Sequence, residues 1–484
     1  MPLATVVTRA SVLAALLVCQ AGPAAYAQQA DAAPPSVNAA AAWRAASRLG
    51  YAPTPASAQA AEAAPRAWAL QQIDAAYAAS RRPAAIPAEL AGINAPLGDI
   101  ARGFYAERET RKSQRQETPK TKPGAAMADA NAGPEKFSRD MAQSAAAWRL
   151  MSCSDPALEN PLLARMTEFW FNHLNVFVGK GPVRPFVGHY VVNVIRPNAL
   201  GRFEDLLLAS ARHPAMLLYL DQAQSNNRGI NENYARELME LHTLGVNSGY
   251  TQKDVRELAR ILTGWTVNLK DGEGFRFAER LHDKDGKVLL GRTFGSEGVS
   301  EGEEAIRYLA RRPETARRVS TRLASFFVAD KPSSALVDRL AATFTATQGD
   351  IRAVMRALVE SPEFWAKDNQ LFKTPLDFAC SALTAGGGVK ERRDIVQTLG
   401  FLAQAGQPMH GWQTPDGYKT DAGTWLAPEA LTRRADYALA LAQRTPEPSY
   451  LNAFFSTATR ERIAREPAQS RAGLMLASPD FMRK

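Results

Sequence analysis

One helix-start signal recurs from residue 213 to near the end of this chain and restricts its fold more than any other feature. A turn residue, a proline and an acidic or small residue stand in a row at His213-Pro214-Ala215, Arg312-Pro313-Glu314, Ser361-Pro362-Glu363 and Ser478-Pro479-Asp480. Proline is tolerated at the first helical position, where its missing N–H has no partner to lose, so each triplet marks the start of a helix. The last two are close copies, ALVESPEFW and LMLASPDFM, each joining an apolar helix end to Ser-Pro-acid-Phe. From Phe137 onward the pattern predicts a mainly α domain of packed helix pairs, although irregular spacing argues against a solenoid. One β element interrupts it. GFRFAERLHDKDGKVLLGRTFG predicts a hairpin of Phe275 to Leu281 and Lys287 to Phe294, turning at Asp285-Gly286.

The N-terminus reads as an export signal over residues 1–27. Arg9 precedes an apolar run from Val12 to Cys19, and Ala25-Tyr26-Ala27 offers a cleavage site. The run is shorter than the roughly 20 residues that span a bilayer, and no later stretch replaces it, so a periplasmic or secreted protein without a transmembrane segment is expected. A lipoprotein would use Cys19, but the bulky Val18 before it argues against that. Residues 28–40 read as a disordered lead, 41–110 as an N-terminal helical segment, 111–135 as a polar linker or loop, and 136–484 as the main domain. The formal charge of +9 suits acidic glycans or another anionic polymer, and nothing in the chain is arranged to read nucleic acid bases. Once the signal is removed only Cys153 and Cys380 remain. Their distance in sequence favours two buried thiols over a disulfide.

Chemistry-bearing residues gather in four places. Placing Leu162 to Phe177 on a helix of about 100° per residue puts His173 within an apolar side and Glu168, Asn172 and Asn175 opposite. The stretch Asn231 to Leu244 repeats the pattern, with His242 in the apolar arc and Asn233, Glu237 and Glu240 opposite. A buried histidine must satisfy two ring nitrogens, so His173 and His242 either bond to neighbours in the core or, if their helices meet, hold a divalent metal. Glu237 and Glu240 share a helix face, the spacing of an acid/base pair or of a solvated ion-pair ladder with Arg236. Asn233 and Arg236 are the binding candidates beside them. Thr251 to Asp254 is a capping box, and Gly245 and Gly249 shape the turn before it. His282-Asp283 is a paired ionisable step that packing explains poorly, which makes both residues catalytic candidates alongside Glu168. Late in the chain, GQPMHGWQTPDGYKTDAGTW sets Trp412, Tyr418 and Trp425 among glycines and prolines, either to stack on sugars or to pin the loop.

Together these segments resemble the bacterial family known as domain of unknown function 1800. The likeness rests on RLGYAPTP, EFWFNHLNVF, NENYARELMELHTLGVNSGYTQKDV with the following LTGW, HDKDGKVLLG, and the late stretch from GQP to W. Ala52 departs from it, standing where members often carry glycine. The resemblance implies a mostly helical exported protein, often encoded beside a second exported family similar to alkaline phosphatases and sulfatases, and it carries over no catalytic residue. Two functions are expected from residues and resemblance together. One is a hydrolase acting on an envelope or environmental glycan or other polymer. The other is a non-catalytic periplasmic binding or scaffold protein working with a phosphatase-like or sulfatase-like partner.

Overall fold

The computed structural model describes residues 37–117, 136–269, 272 and 274–484. The signal at 1–27, the lead as far as residue 36 and the loop at 118–135 therefore lie outside the described residues. Residues 37–40 already belong to the helix Val37–Leu49, and 111–117 continue the helix Leu97–Glu117. The fold is mainly α, and no helix among the described residues is long and apolar enough to cross a membrane.

Helices start where proline allows. Ser361 Oγ accepts from Phe364 N and Ser478 Oγ from Phe481 N, so the two Ser-Pro-acid-Phe copies build the same capped turn. His213 caps Pro214–Tyr219 with its ring, Nδ1 accepting from Ala215 N at 3.1 Å. Thr251 and Asp254 form the expected reciprocal capping box, and Gly245 and Gly249 take φ of 97° and 83° in the turn before it.

The inserted β element is two small antiparallel hairpins, and its pairing differs from the expected one. Trp265–Asn268 pairs with Gly274–Phe277, with Trp265 opposite Phe277; Lys287–Leu289 pairs with Arg292–Phe294. The second hairpin turns at Leu290 and Gly291, both at positive φ, rather than at Asp285-Gly286. Asp283 Oδ1 accepts from Asp285 N, so the Asp-Gly step belongs to a side-chain-stabilised bend ahead of the strand.

Two apolar cores organise the helices. The first surrounds Pro161–His173 with Leu163, Met166, Phe169 and Trp170; the second surrounds Pro375–Ala385 with Phe378, Phe401, Tyr437 and Phe481. Val37–Leu49 contributes to both, sending Ala45 and Leu49 into the first core and Ala39 and Ala42 into the second. Where the cores meet, polarity replaces grease. Arg165, fully buried, donates to Asp377 and lies 3.3 Å from Glu168, while Lys484 donates to Asp377 from the other side. Burial pushes the Asp377 carboxyl up, but Arg165 and then Lys484 hold it well below the usual carboxylate range.

A covalent link ties two helices within the second core. Cys153 on Lys136–Ser154 and Cys380 on Pro375–Ala385 form a disulfide with Cα atoms 5.7 Å apart, contrary to the expectation of two thiols. Sequence distance is no obstacle once two helices pack side by side.

Cys380→Ser should lower stability by roughly 2–5 kcal/mol, because the bond closes a long loop in the unfolded chain; the urea midpoint measures it, and dithiothreitol should bring the wild type to the same value. Asp377→Ala should cost about 3–5 kcal/mol by leaving Lys484 buried without a counter-charge and Arg165 with Glu168 alone. The depressed Asp377 value stabilises the fold above the unfolded carboxyl value of about 3.9 and is lost as pH falls below it. Urea midpoints between about pH 5 and pH 2 should therefore fall more steeply in the wild type than in Asp377→Asn.

Candidate functional site

The polar side of Pro161–His173 is buried, and it serves as the seat for the late loop. Asn172 holds Tyr418 by both backbone groups, Nδ2 donating to Tyr418 O at 3.0 Å and Oδ1 accepting from Tyr418 N at 2.7 Å. Asn175 Nδ2 donates to Trp412 O and Thr414 O, and Tyr219 Oη donates to Gln413 O. Glu168 accepts from the phenols of Tyr51 and Tyr418. Burial and the Glu168 charge push both phenols well above their ordinary value, so they remain donors. The seat is tight. A Cβ on Gly417, whose φ is 72°, would stand 2.1 Å from Asn172 O.

Asp416 of the loop lies within electrostatic reach of Glu237, on the helix that starts at Asn233. That helix is not regular: an α segment Asn233–Glu237 gives way to a π turn, Leu238–His242, which shifts the face each later residue presents. Glu237 is half-buried; burial raises its carboxyl, and Glu240 and Asp416 of the late loop add to the rise against Arg236. Glu240 pairs with Arg236 at 3.5 Å, and Arg236 also reaches Glu232 at 3.3 Å and Gln252. Two cations from Pro313–Phe327 lie near these groups. Burial lowers Arg322 to about 10, with Arg318 adding to the fall, while Asp416 and Tyr418 pull the other way. Arg318 Nε donates to Leu241 O. Trp412 is partly exposed, and its indole N–H donates to Thr414 Oγ1, which in turn donates to Asp416. Carboxylates and guanidinium groups thus lie within electrostatic reach of one another, Glu237 with Glu240, Arg236 and Asp416, and Asp416 with Arg322.

The other candidates sit elsewhere. His173 and His242 do approach, with ring centroids 6.3 Å apart, but His173 Nε2 bonds the backbone carbonyl of His242 rather than its ring. Burial, then Arg318 and Arg322, lowers His242 to about 3, and both its ring nitrogens lack a partner. Among the described residues no group of three or more His, Cys, Asp or Glu side chains could hold a metal ion. His282 is buried beside the hairpins, with Nδ1 at 2.9 Å from Thr263 O and Nε2 at 2.9 Å from Glu301, which also binds Lys287. Asp283 pairs with Arg260 at 2.9 Å. Neither belongs to the group of charges around Glu237. Asn233 Nδ2 donates to Leu220 O. Trp425 is buried in the second core and donates to Lys419 O, so it pins the loop.

Residue patterns alone did not single out Asp416, Arg318, Arg322, Arg149, Gln407 or His410. Asp416 stands in Pro-Asp-Gly, which reads as a turn, and the arginines lie on helices where solvated charge is the ordinary reading. His410 carries a sharper signal once the backbone is known, since it is a non-glycine residue at φ 54°.

The model of the family described as "Protein of unknown function (DUF1800)" matches residues 44–483, so the chain belongs to that family. No curated protein and no solved structure matches it.

Gly417→Ala should displace the late loop, combining a clash with Asn172 and a strained φ at a cost of at least about 1–3 kcal/mol. Limited proteolysis should then cut between residues 407 and 425 while the rest of the chain stays resistant.

Proposed function

We propose that this member of the DUF1800 family is an exported hydrolase of an envelope or environmental polymer, acting in the cleft between the π turn and the late loop. The observation that carries the reading is Glu237. Its side chain has no hydrogen bond or ion pair among the described residues, and burial with Glu240 and Asp416 raises its carboxyl. A carboxyl that keeps its proton to higher pH than usual suits a general acid, and a second carboxylate nearby suits the base or nucleophile of the same reaction. Glu237 would protonate the leaving oxygen, Asp416 would activate water or attack, and Arg318 and Arg322 would stabilise negative charge as it develops. Trp412 offers a face for a sugar ring. The Cys153–Cys380 disulfide supports a periplasmic or secreted location, where the compartment is oxidising.

A second reading, a binding or scaffold protein beside a phosphatase-like or sulfatase-like partner, draws support from one observation. Arg236 is shared between Glu232 and Glu240, so much of that face is an ion-pair ladder.

Reducing-end release from lipopolysaccharide polysaccharide and from peptidoglycan glycan discriminates the two. Glu237→Gln should lower turnover by roughly 10²–10⁴-fold with polymer binding retained. Wild-type activity should fall as pH rises through the raised Glu237 value, because the acid must be protonated. Wild-type turnover in Glu237→Gln would remove the hydrolase assignment, and co-purification of a stable partner would then support the scaffold.

A further inference from the structure

Beside the late loop, three hydrogen-bonding side chains converge on one small cavity without finding partners. Arg149 of Lys136–Ser154 is 3% exposed, and its Nε and Nη1 are unpaired. Gln407 is oriented by its other end: Oε1 accepts from Leu376 N at 2.8 Å, which leaves Nε2 free of any partner. His410 is buried against Phe171, with ring centroids 4.8 Å apart, and neither ring nitrogen is bonded. Its strained backbone is locked by Val178 N donating to His410 O at 3.0 Å. All three line a cavity of about 30 Å³.

Charge decides what such a cavity would hold. Arg165 and Lys484 are answered by Asp377 and Glu168; Glu168 also lines the cavity, but both its oxygens are engaged by Tyr51, Tyr418 and Arg165. Arg149 is left as a buried cation with no hydrogen-bonded counter-charge, an arrangement that costs stability unless an anion completes it. Burial, with Arg149 beside it, lowers His410 to about 3, so the ring is neutral and offers one N–H. Space limits the ligand to one compact group, since a single water needs roughly 10–15 Å³. Met409 and Trp412, both partly exposed, line the same cavity and lead to the surface.

We infer that this pocket binds one oxyanion group, a carboxylate, sulfate or phosphate, through Arg149, Gln407 and His410. The group is either a free anion or the acidic substituent of a larger ligand. The inference does not depend on the hydrolase reading, because none of the three donors belongs to the Glu237 cleft.

The test is thermal unfolding of the full mature chain in acetate, sulfate or phosphate against chloride at matched ionic strength. Sulfate and phosphate raise midpoints generally by exclusion from protein surfaces, so the comparison is between wild type and variants. In Gln407→Glu the new carboxylate still accepts from Leu376 N and answers Arg149 from within. The wild type should show a saturable rise with at least one oxyanion, and Gln407→Glu should start higher and lose that rise. Arg149→Met should also lose it. Glucuronate stabilising at lower concentration than acetate would assign the group to a sugar acid, and equal potency to a free anion. No excess over chloride in the wild type, or an equal excess in Gln407→Glu, would leave only water in the pocket and overturn the inference.

Discussion

The cluster of Arg165, Asp377, Lys484 and Glu168 is the contact on which the rest of the molecule depends. It lies where two apolar cores meet, so each charge has left water and must be answered by another. Arg165 and Glu168 come from the helix central to the first core, and Asp377 from the helix central to the second. Lys484 closes the cluster from the last strand of backbone, which pairs with Leu371. Aliphatic side chains could slide past one another at such a junction. A guanidinium, an ammonium and two carboxylates can be satisfied in few relative positions, so the junction is specified as well as stabilised.

The same cluster sets the late loop. Glu168 is held by Arg165 and Tyr51, and it presents its remaining oxygen to Tyr418. Asn172 and Asn175, further along the helix, receive the loop backbone between Trp412 and Tyr418. A loop docked by backbone bonds to a buried helix is held in one position, so the side chains on its two sides have fixed neighbours. Its outer side bears Asp416 towards Glu237, and its inner side bears Gln407 and His410 towards Arg149. Strain at His410 is tolerated because Val178, Phe171 and the asparagines together over-determine the turn.

What could be read from residue order differed by the range of the interaction behind it. The helix starts at Pro214, Pro313 and Pro362, the capping box at Thr251 and the glycine turn at Gly245 rest on contacts within a few residues, and they stand as expected. Ser478-Pro479-Asp480, by contrast, opens a capped turn and no helix. The hairpin was visible as β structure, but Trp265–Asn268 was missed as a strand, because short two-stranded ribbons choose partners by packing rather than local propensity. Regular helical spacing also misled slightly at Asn231 to Leu244, where a π turn inserts after Glu237. Glu168, Glu237, Trp412 and Tyr418 were legible as polar or aromatic residues in unusual company. Their connection was not, since it joins two helices to a loop more than a hundred residues further along the chain.

The sequence by itself determined where helices begin and end, which stripes are apolar, and that a few polar residues lie within those stripes, all consequences of backbone sterics and near-neighbour hydrogen bonds. Only the tertiary structure decided which of them meet. It spent His282 on Glu301 and Asp283 on Arg260, joined Cys153 to Cys380, and left Arg149 buried beside Gln407 and His410. The reason is that burial and pairing of charge depend on distances in space, and those distances exist only after the two cores have closed on one another.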